Sequence, residues 1–404
     1  MRLAWGPPGP EETAARRVAI TGLGVVSCCG VGTDAFWEGL CGPAPEGDRR
    51  VVDFDPSAWF GPKEARRADR FGQLTVAAAA MALDDAGPVE VDPKRAGVIM
   101  GSGAGGIETL ETQFIVHRDR GPERVSPFLV PMMMLNSGAA MVSMRAGWQG
   151  PCEAVSTACA TGTHAIANAA RLVASGRCEV MLAGGSEGTM IDAAKAALRN
   201  TTALSQCGIS RPFDARRDGF LMAEGSAAIV LEDLERALAR GAQVYAELIG
   251  AASNADAHHI TVPAPGGSGA AACMELALTD AGLSPGQIRH INAHGTSTPL
   301  NDSAEAEAIE KVFGSPGPPL TSIKGVTGHA MGAAGAIEAV AAALTIERSL
   351  IPPTAGYEQP DPDINLDVVA GAPRPWEPGP VLSNSFGFGG HNGCLVLGPV
   401  QGLV

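Results

Sequence analysis

The chain has 404 residues, of which 45% are hydrophobic and 18% charged, and its formal net charge is −14. This composition excludes a disordered chain and argues against a nucleic-acid partner, whose phosphates need a basic protein face. No apolar run approaches the roughly 20 residues of a membrane-spanning helix. The nine cysteines include no C-x-x-C pair and follow no secretory signal, which predicts a cytoplasmic protein without a disulfide framework.

In chain order, strands alternate with helices. Residues 1–17, which show no periodic pattern, are expected to form a mobile leader. A strand begins at Val18. It is followed by an Ala-rich helix, a strand entering a glycine loop, a buried strand, and a further strand that leads into a helix. The corresponding segments are VAITGLGVVS, FGQLTVAAAAMALDDAG, AGVIMGSGAGG, EVMLAGGSEG and GSAAIVLEDLERALARG. The alternation predicts an α/β fold.

Near residue 244 the same order of elements starts again. A strand, a helix and a strand entering a loop are followed by a glycine loop with a long helix, and then by two closing strands. The segments are VYAELIGAAS, GAAACMELALTDAG, HINAHGTST, TSIKGVTGHAMGAAGAIEAVAAALTIER and VLSNSFGFGGHNGCLVLG. A repeat of this length indicates a duplicated domain and not a solenoid. We therefore predict two halves, 18–243 and 244–404.

Cys159 lies in VSTACATGTHA, where an extended segment gives way to a small-residue helix. The free N–H groups and dipole of a helix N-terminus favour an anion, so we expect the pKa of this thiol to be lowered. A free cysteine is more often a small buried hydrophobe. We give that interpretation to the other early cysteines, and we interpret His164 as a pocket or core residue. These cysteines are Cys28, Cys29, Cys152 and Cys178.

Two histidines of the second half lie in glycine-containing loops, His294 in NAHGTSTPLND and His329 in KGVTGHAMGAAG. Neighbouring glycines indicate close backbone approach. Alone, each histidine is more often structural. With Cys159 they would form a Cys-His-His set, and the glycine-rich loop 384–390 could donate a backbone N–H to an oxyanion.

These segments, in their order, resemble the β-ketoacyl-acyl carrier protein synthases, including the elongating enzymes of fatty acid synthesis and the ketosynthase subunits of dissociated type II polyketide synthases. VSTACATGTHA is similar to the nucleophile segment of that family, NAHGTSTPLND to its first histidine loop, SIKGVTGHAMGAAGAIE to its lysine and second histidine, and NSFGFGGHN to its gating loop. The resemblance covers residues 18 to about 398 and implies a thiolase-like, five-layered αβαβα fold built from two duplicated halves.

The resemblance implies a decarboxylative Claisen condensation. Cys159 would take an acyl chain, and His294 and His329 would bind the thioester carbonyl of malonyl-acyl carrier protein. Both substrates would arrive on the phosphopantetheine arm of the carrier protein, with no tightly bound cofactor and no metal. The remaining roles it implies are a Lys324–Glu338 pair beside the histidines, pantetheine contacts from Thr296 and Thr298, and a gate and oxyanion donor at Phe388 supported by Phe386 and Gly387.

An acidic carrier protein needs a basic docking surface. In GPKEARRADRF the basic residues recur at i, i+3, i+4 and i+7, which predicts one face of a helix. An ordinary solvated face is the alternative, and the resemblance favours docking. The residues are Lys63, Arg66, Arg67 and Arg70.

The acyl pocket and the gating loop depart from the family pattern. Ala104 is small where a larger aliphatic residue often forms the pocket floor, so a longer or unsaturated chain is expected to fit. His391 replaces a threonine of the gating motif, and Gly325 replaces a serine after the lysine. His259, with Asp256, is expected near the pocket or its entrance. The run Met132–Met134 would line the pocket or, in at least two positions, pack in the core.

Several alternatives stay open. A degradative thiolase would need a second catalytic cysteine in a Cys-Gly-Gly setting, whereas Cys394 lies in NGCLV. A cysteine hydrolase would need a general base positioned to activate water. A non-catalytic chain-length-factor-like subunit would lack Cys159. Adjacent His258 and His259 do not have metal-ligand spacing. Within the family, a fatty acid enzyme predicts a homodimer, whereas a polyketide enzyme, which we favour, permits a heterodimer with a chain-length factor.

Overall fold

The computed structural model describes residues 15–400. Its strands are β1 Val18–Ser27, β2 Gly30–Val31, β3 Ala96–Gly101, β4 Cys152–Glu153, β5 Val180–Glu187, β6 Gly225–Asp233, β7 Ala246–Ala255, β8 His290–Asn292, β9 Leu320–Thr321, β10 Leu350–Ile351, β11 Arg374–Pro375, β12 Val381–Gly387 and β13 His391–Gly398. Its α-helices are α1 Thr33–Cys41, α2 Pro62–Ala65, α3 Arg70–Ala86, α4 Ile107–Arg120, α5 Leu129–Met133, α6 Ser137–Ala146, α7 Thr161–Ala174, α8 Asp192–Asn200, α9 Leu234–Ala239, α10 Ser268–Ala281, α11 Pro299–Phe313, α12 Lys324–Thr327 and α13 Ala334–Arg348.

The strand order shows the duplication directly. The sheet runs β4-β3-β5-β6-β1-β7-β13-β12-β8-β9, so each half has one order, mirrored about the β1–β7 pair. In each half the outer strands pair in parallel and the inner strands pair antiparallel. The two halves meet at the antiparallel pair Val18–Leu248, Ala19–Glu247 and Ile20–Ala246. The predicted duplicated α/β fold is therefore confirmed.

Three large apolar clusters fill the spaces between the helices and the sheet. Between the two halves of the sheet, α7 and α13 form the middle layer, α3 and α6 cover one outer face, and α10 and α11 cover the other. Small residues allow this close packing: a Cβ at Gly162 of α7 would lie 2.6 Å from the backbone nitrogen of Ala336 in α13. The result is the five-layered αβαβα arrangement of the thiolase fold.

Most of the predicted leader, residues 1–14, lies outside the part of the chain that the structure describes. Arg16 and Arg17, which the sequence placed in the leader, are anchored: Arg16 pairs with Asp233 at 3.1 Å, and Arg17 with Glu247 at 2.6 Å. These ion pairs attach the chain to β6 and β7 before β1 begins. The division between residues 243 and 244 stays a prediction.

Candidate active site

A cavity of about 720 Å³ lies between the two halves. The first half contributes Cys159, and the second contributes His294, His329 and Phe388 to its wall. The lining is mainly apolar, with a few polar groups converging on the sulfur. This combination is typical of a site that binds an apolar substrate and carries out polar chemistry at one end.

The nucleophile turn places the sulfur of Cys159 in this cavity. Ala158 has φ of 50°, a left-handed conformation that costs energy for a residue with a Cβ. The hydroxyl of Thr161, in the first turn of α7, accepts from the backbone N–H of Thr157 at 2.8 Å and donates to the Ala158 carbonyl at 2.7 Å. The turn therefore holds Cys159, which is 9% exposed, just before α7 as predicted.

Burial raises the pKa of the Cys159 thiol to about 11, although the positive charge of Lys324 and the backbone N–H of Phe388 partly oppose this. The expectation of a lowered pKa was wrong, because loss of water around the sulfur outweighs the helix N-terminus. The Nε2 atom of His329 lies 2.9 Å from the sulfur. The thiol therefore has an adjacent base that can take its proton as it attacks.

Both histidines are buried and neutral. Burial lowers the pKa of His294 and of His329 well below the ordinary value, and the positive charge of Lys324 adds to the effect. The two rings meet edge to face, with centroids 5.4 Å apart. The Lys324 amine lies 3.3 Å from Nδ1 of His294, which places the ring proton on Nε2. Nε2 is then available as a donor in the cavity.

Lys324 and Glu338 form a buried pair, each 1% exposed. The Lys324 amine contacts a Glu338 carboxylate oxygen and donates to the His294 backbone carbonyl at 2.6 Å. Burial raises the pKa of Glu338 to about 7, while Lys324 acts in the opposite direction. The lysine therefore reaches His294 through both its ring and its backbone, as the resemblance implied.

The gating loop joins β12 to β13 beside the nucleophile. A Cβ at Gly387 would lie 3.0 Å from the Cys159 backbone nitrogen, so the loop needs glycine to come this close. Phe388 is 38% exposed on the cavity wall, and the ring of Phe386 meets that of His294 with centroids 5.9 Å apart. Asn392 ties the end of the loop to Asp256, its amide donating at 2.7 Å.

Three of the four predicted substrate-binding residues line the cavity: Thr296, Thr298 and Ala104. The two threonine hydroxyls lie 2.9 Å apart. His259 is exposed and is not itself part of the lining, so of the two predicted positions, pocket or entrance, only the entrance stays open as a prediction. Its Nδ1 instead accepts from the backbone N–H groups of the next cavity-lining residues, Thr261 at 3.1 Å and Val262 at 3.2 Å.

The basic segment does not form one helical face. The chain leaves α2 after Ala65 and enters α3 at Arg70, because the Asp69 carboxylate caps α3 by accepting from the Phe71 N–H at 3.2 Å. The side chains therefore separate. Lys63, Arg66 and Arg67 are exposed, whereas Arg70 turns inward to pair with Glu224 at 2.8 Å.

The structure also places the other residues that the sequence analysis singled out. A Cβ at Gly325 would lie 2.3 Å from the Ala355 carbonyl, so the backbone there leaves no room for a side chain. His391 lies half-buried at the start of β13. Met132–Met134 lie neither in the cavity lining nor in the buried core of the described chain. Cys152, predicted to be a core thiol, is exposed because β4 is an edge strand.

His164 is confirmed as a core residue. It is 8% exposed, and its Nδ1 lies 2.8 Å from the Thr157 hydroxyl. Its Nε2 lies 3.1 Å from the Asn392 carbonyl, which makes Nε2 the donor and Nδ1 the acceptor. His164 therefore joins the nucleophile turn to the end of the gating loop.

Two buried glutamates were missed by the sequence reasoning. Glu305 accepts from the backbone N–H groups of His294 at 2.8 Å and Gly295 at 2.7 Å, and burial raises its pKa to about 7. Glu187 accepts from Gly103 at 2.9 Å and Gly332 at 3.1 Å. Each carboxylate fixes a loop of the cavity. The sequence offered one hint for each residue: Glu305 falls on the apolar face of α11, and Glu187 falls within the buried strand β5.

The ligand atoms of Cys159, His294 and His329 lie within 4.8 Å of one another, close enough to hold a metal ion. The positive charge of Lys324 acts on all three groups and opposes a cation at the same point. The donors therefore suit an anionic intermediate better than a metal.

Comparison with known proteins agrees with this geometry. Residues 46–237 match the family model "Beta-ketoacyl synthase, N-terminal domain", and residues 245–358 match "Beta-ketoacyl synthase, C-terminal domain". The chain belongs to the beta-ketoacyl synthase family. A 3-oxoacyl-[acyl-carrier-protein] synthase 2 of Synechocystis sp. is 42% identical, over 96% of this chain and 99% of its own.

Solved structures of beta-ketoacyl synthases are also similar. The ishigamide ketosynthase/chain length factor superposes with a TM-score of 0.90 at 35% identity, covering 96% of this chain and 100% of its own. A type II PKS ketosynthase, solved with its acyl-carrier protein and bound to the hexaketide, gives 0.88 at 32% identity with the same coverage. None of the helices described in this beta-ketoacyl synthase has the length and apolar character needed to cross a membrane.

Proposed function

We propose that this enzyme condenses an acyl group held on Cys159 with malonyl-acyl carrier protein, releasing carbon dioxide and a β-ketoacyl-acyl carrier protein. The observation that carries the proposal is the 2.9 Å contact between the Cys159 sulfur and Nε2 of His329. This contact joins a nucleophile from one half to a histidine from the other, beside His294. A non-catalytic chain-length-factor-like subunit has no use for this cluster.

In the first step an acyl thioester enters on a phosphopantetheine arm, which Thr296 and Thr298 bind along the cavity wall. His329 takes the proton of Cys159 as the sulfur attacks the thioester carbonyl. The backbone N–H groups of Cys159 and Phe388 bind the oxyanion in this proposal, and the Phe388 N–H already acts to lower the pKa of the Cys159 thiol. The carrier thiolate leaves, takes up from His329 the proton that Cys159 gave, and departs.

In the second step malonyl-acyl carrier protein occupies the same entrance. His329, now in its Nε2–H tautomer, and His294 donate through Nε2–H to its thioester carbonyl and stabilise the enolate formed when carbon dioxide leaves. Lys324 holds His294 in the required tautomer. The enolate carbon attacks the acyl-Cys159 carbonyl, a C–C bond forms, and the sulfur of Cys159 leaves as thiolate. Movement of the Phe388 loop admits the second substrate.

The carrier protein docks, in this proposal, on three exposed basic residues, Lys63 in α2 and Arg66 and Arg67 directly after it. The Synechocystis relative is named as a synthase that acts on an acyl carrier protein, and the hexaketide-bound ketosynthase was solved in complex with such a carrier. We place the protein in the cytoplasm, where such carriers act, and assign it no tightly bound cofactor.

We further propose that the enzyme works as a dimer. The edge strand β4 is exposed, and large apolar side chains are exposed nearby in sequence. Surfaces of this kind mark protein interfaces. These side chains are Phe114, Ile115, Val130, Met134, Leu135 and Met144. A homodimer is the simplest occupant, and a heterodimer with a chain-length factor is the alternative.

The pathway is either polyketide or fatty acid elongation. Curated relatives are named 3-oxoacyl-[acyl-carrier-protein] synthase 2, whereas the similar solved structures include a ketosynthase/chain length factor and a type II PKS ketosynthase. The small Ala104 leaves cavity space beside Cys159, which supports a long or unsaturated acyl chain and hence a specialised elongating enzyme. Primary fatty acid elongation remains the second candidate.

The test is a reconstituted reaction. The purified enzyme is given acyl-carrier proteins of graded chain length and ¹⁴C-carboxyl malonyl-carrier protein. We expect labelled carbon dioxide and, in equal amount, a carrier protein bearing a β-ketoacyl group two carbons longer. Acyl hydrolysis without chain extension would contradict the proposal. The chain length that reacts fastest, alone and with a co-purified partner subunit, separates the two pathways.

A further inference from the structure

Two adjacent cysteines outside the cavity occupy the tip of a β-hairpin. Cys28 and Cys29 are the two residues between β1 and β2, whose closing pair is Ser27–Gly30. Both are partly exposed, and their sulfur atoms lie 4.0 Å apart. The Ser27 hydroxyl accepts from the Cys29 N–H at 3.1 Å and holds the turn. The pair is therefore held with its two thiols side by side.

This hairpin tip lies directly behind the loop that carries the catalytic lysine and histidine. The Cys28 thiol lies 3.4 Å from the Thr327 carbonyl and 3.8 Å from the Val326 carbonyl, at the end of α12. Such terminal carbonyls lack helical partners, so an S–H donor is useful to them. Lys324 begins this helix, and His329 follows it by two residues.

A buried cation completes the setting. Arg49 is 4% exposed, and its Nε has no hydrogen-bond partner within the described chain. Its side chain packs on Gly328, where an added Cβ would come within 2.7 Å of the arginine Cγ. The hydrogen bond from Cys29 and the charge of Arg49 lower the pKa of Cys28, while the same bond raises that of Cys29. One thiol is thus poised as nucleophile and its neighbour as proton holder.

We infer that Cys28 and Cys29 form a thiol–disulfide exchange site for small-molecule disulfides, and that oxidation of the pair acts on the loop carrying Lys324 and His329. The Cys28 thiolate attacks one sulfur of the reagent disulfide, whose S–S bond breaks and releases one thiol. Cys29 then loses its proton and attacks the Cys28 sulfur, releasing the second thiol. Two protein thiols are oxidised, and one reagent disulfide is reduced to two thiols.

The product is expected to be readily reversible. Adjacent Cα atoms lie about 3.8 Å apart, below the separation of about 4.4 to 6.8 Å usual for disulfides, so the bond is strained and easily reduced. Its formation removes the S–H donor from the Thr327 carbonyl. Loss of one such hydrogen bond next to His329 corresponds to about a fivefold fall in the condensation rate.

The chemical test uses oxidised glutathione on the full chain under non-denaturing conditions, followed by alkylation and tryptic mass mapping. Residues 18–49 form one tryptic peptide containing Cys28, Cys29 and Cys41. We expect this peptide to lose two hydrogens while Cys41 remains open to alkylation, and the Cys29→Ala variant to keep glutathione on Cys28. Two freely alkylated thiols at 28 and 29, or a bond involving Cys41, would overturn the inference.

The functional arm rests on the proposed condensation, whereas the mass arm does not, so the two can fail separately. Oxidised enzyme is compared with enzyme restored by dithiothreitol, and Cys28→Ser, which keeps a hydroxyl donor for the Thr327 carbonyl and cannot form the disulfide, is the matched variant. We expect the reversible loss of rate in the unmodified chain and its absence in Cys28→Ser. Equal loss in both would place the oxidation at another cysteine and overturn the coupling to α12.

Discussion

In the first half of the chain, the connection from β4 to α7 carries the nucleophile Cys159. In the second half, the equivalent connection from β9 to α13 carries Lys324 and His329. The duplication brings both connections to one cavity, because α7 and α13 pack together in the middle layer. One half supplies a sulfur with a raised pKa, and the other supplies neutral donors and a positive charge. Duplication thus provided two equivalent positions that could take up different chemistry.

The two halves also differ in the connection between one pair of equivalent antiparallel strands. In the second half, β12 and β13 are joined by the short gating loop, which touches Cys159. In the first half, the equivalent strands β5 and β6 are separated by residues 188–224, which include α8 and several cavity-lining residues. In the proposed mechanism the short loop moves as the gate, whereas the long connection contributes more of the cavity lining.

The largest effect is expected from breaking the buried pair of the second half. Lys324→Met leaves the carboxylate of Glu338 buried without its partner, which should cost about 3–5 kcal/mol of the free energy of unfolding, measured by urea denaturation. The double variant Lys324→Met/Glu338→Leu should recover most of this stability and remain inactive. Equal destabilisation of the single and double variants would show that the charge pair is not the cause.

The histidines test the division of labour between the halves. His294→Ala should reduce malonyl decarboxylation about 10²–10³-fold, since a donor to the developing enolate is lost, and should leave acylation of Cys159 nearly unchanged. His117→Ala, exposed on α4 and outside the cavity lining, is the matched control and should retain the full rate. Because burial keeps the pKa of both cavity histidines low, neither should titrate between about pH 8 and about pH 6, and a change in decarboxylation rate over that range should follow Glu305 and Glu338, whose pKa is about 7. An NMR ring signal of His294 or His329 that titrates across that range would contradict the neutral donors.

The docking surface should give the smallest effect. Arg66→Glu/Arg67→Glu should raise the KM for acyl-carrier protein about fivefold with kcat unchanged, because charges at a rim act on association. Arg124→Glu, exposed elsewhere, is the charge-matched control. The KM difference should shrink with added salt. An equal rise in KM for both variants would contradict the assignment of this basic segment as the docking surface.

Much of the fold could be predicted from the sequence because the strands and helices have clear periodicity, as in the Ala-rich helix before Gly87 and the strand EVMLAGGSE. The strand order could not, since pairing between distant segments leaves no local pattern. The break at Asp69 was also missed. Its carboxylate caps α3 and accepts from the backbone N–H of Thr109 at 2.9 Å, a contact that helical spacing does not reveal.

The candidate site was predicted through its motifs. Cys159, His294, His329 and Lys324 do meet, but the sign of the thiol's pKa shift depended on burial, which a motif does not show. Glu305 and Glu187 were missed because their partners are backbone N–H groups of distant loops. His259 lies close in sequence to the lining residues, and it is nevertheless exposed outside the cavity wall.

The central claim is that Cys159 carries the acyl chain while the second half performs decarboxylation. The most direct measurement is the intact mass of the enzyme after incubation with acyl-carrier protein alone, followed by mapping of the adduct. We predict one acyl group per chain, on Cys159, in the unmodified enzyme and in His294→Ala, and none in Cys159→Ala. An adduct that persists in Cys159→Ala, or no adduct in the unmodified enzyme with any chain length, would contradict the account.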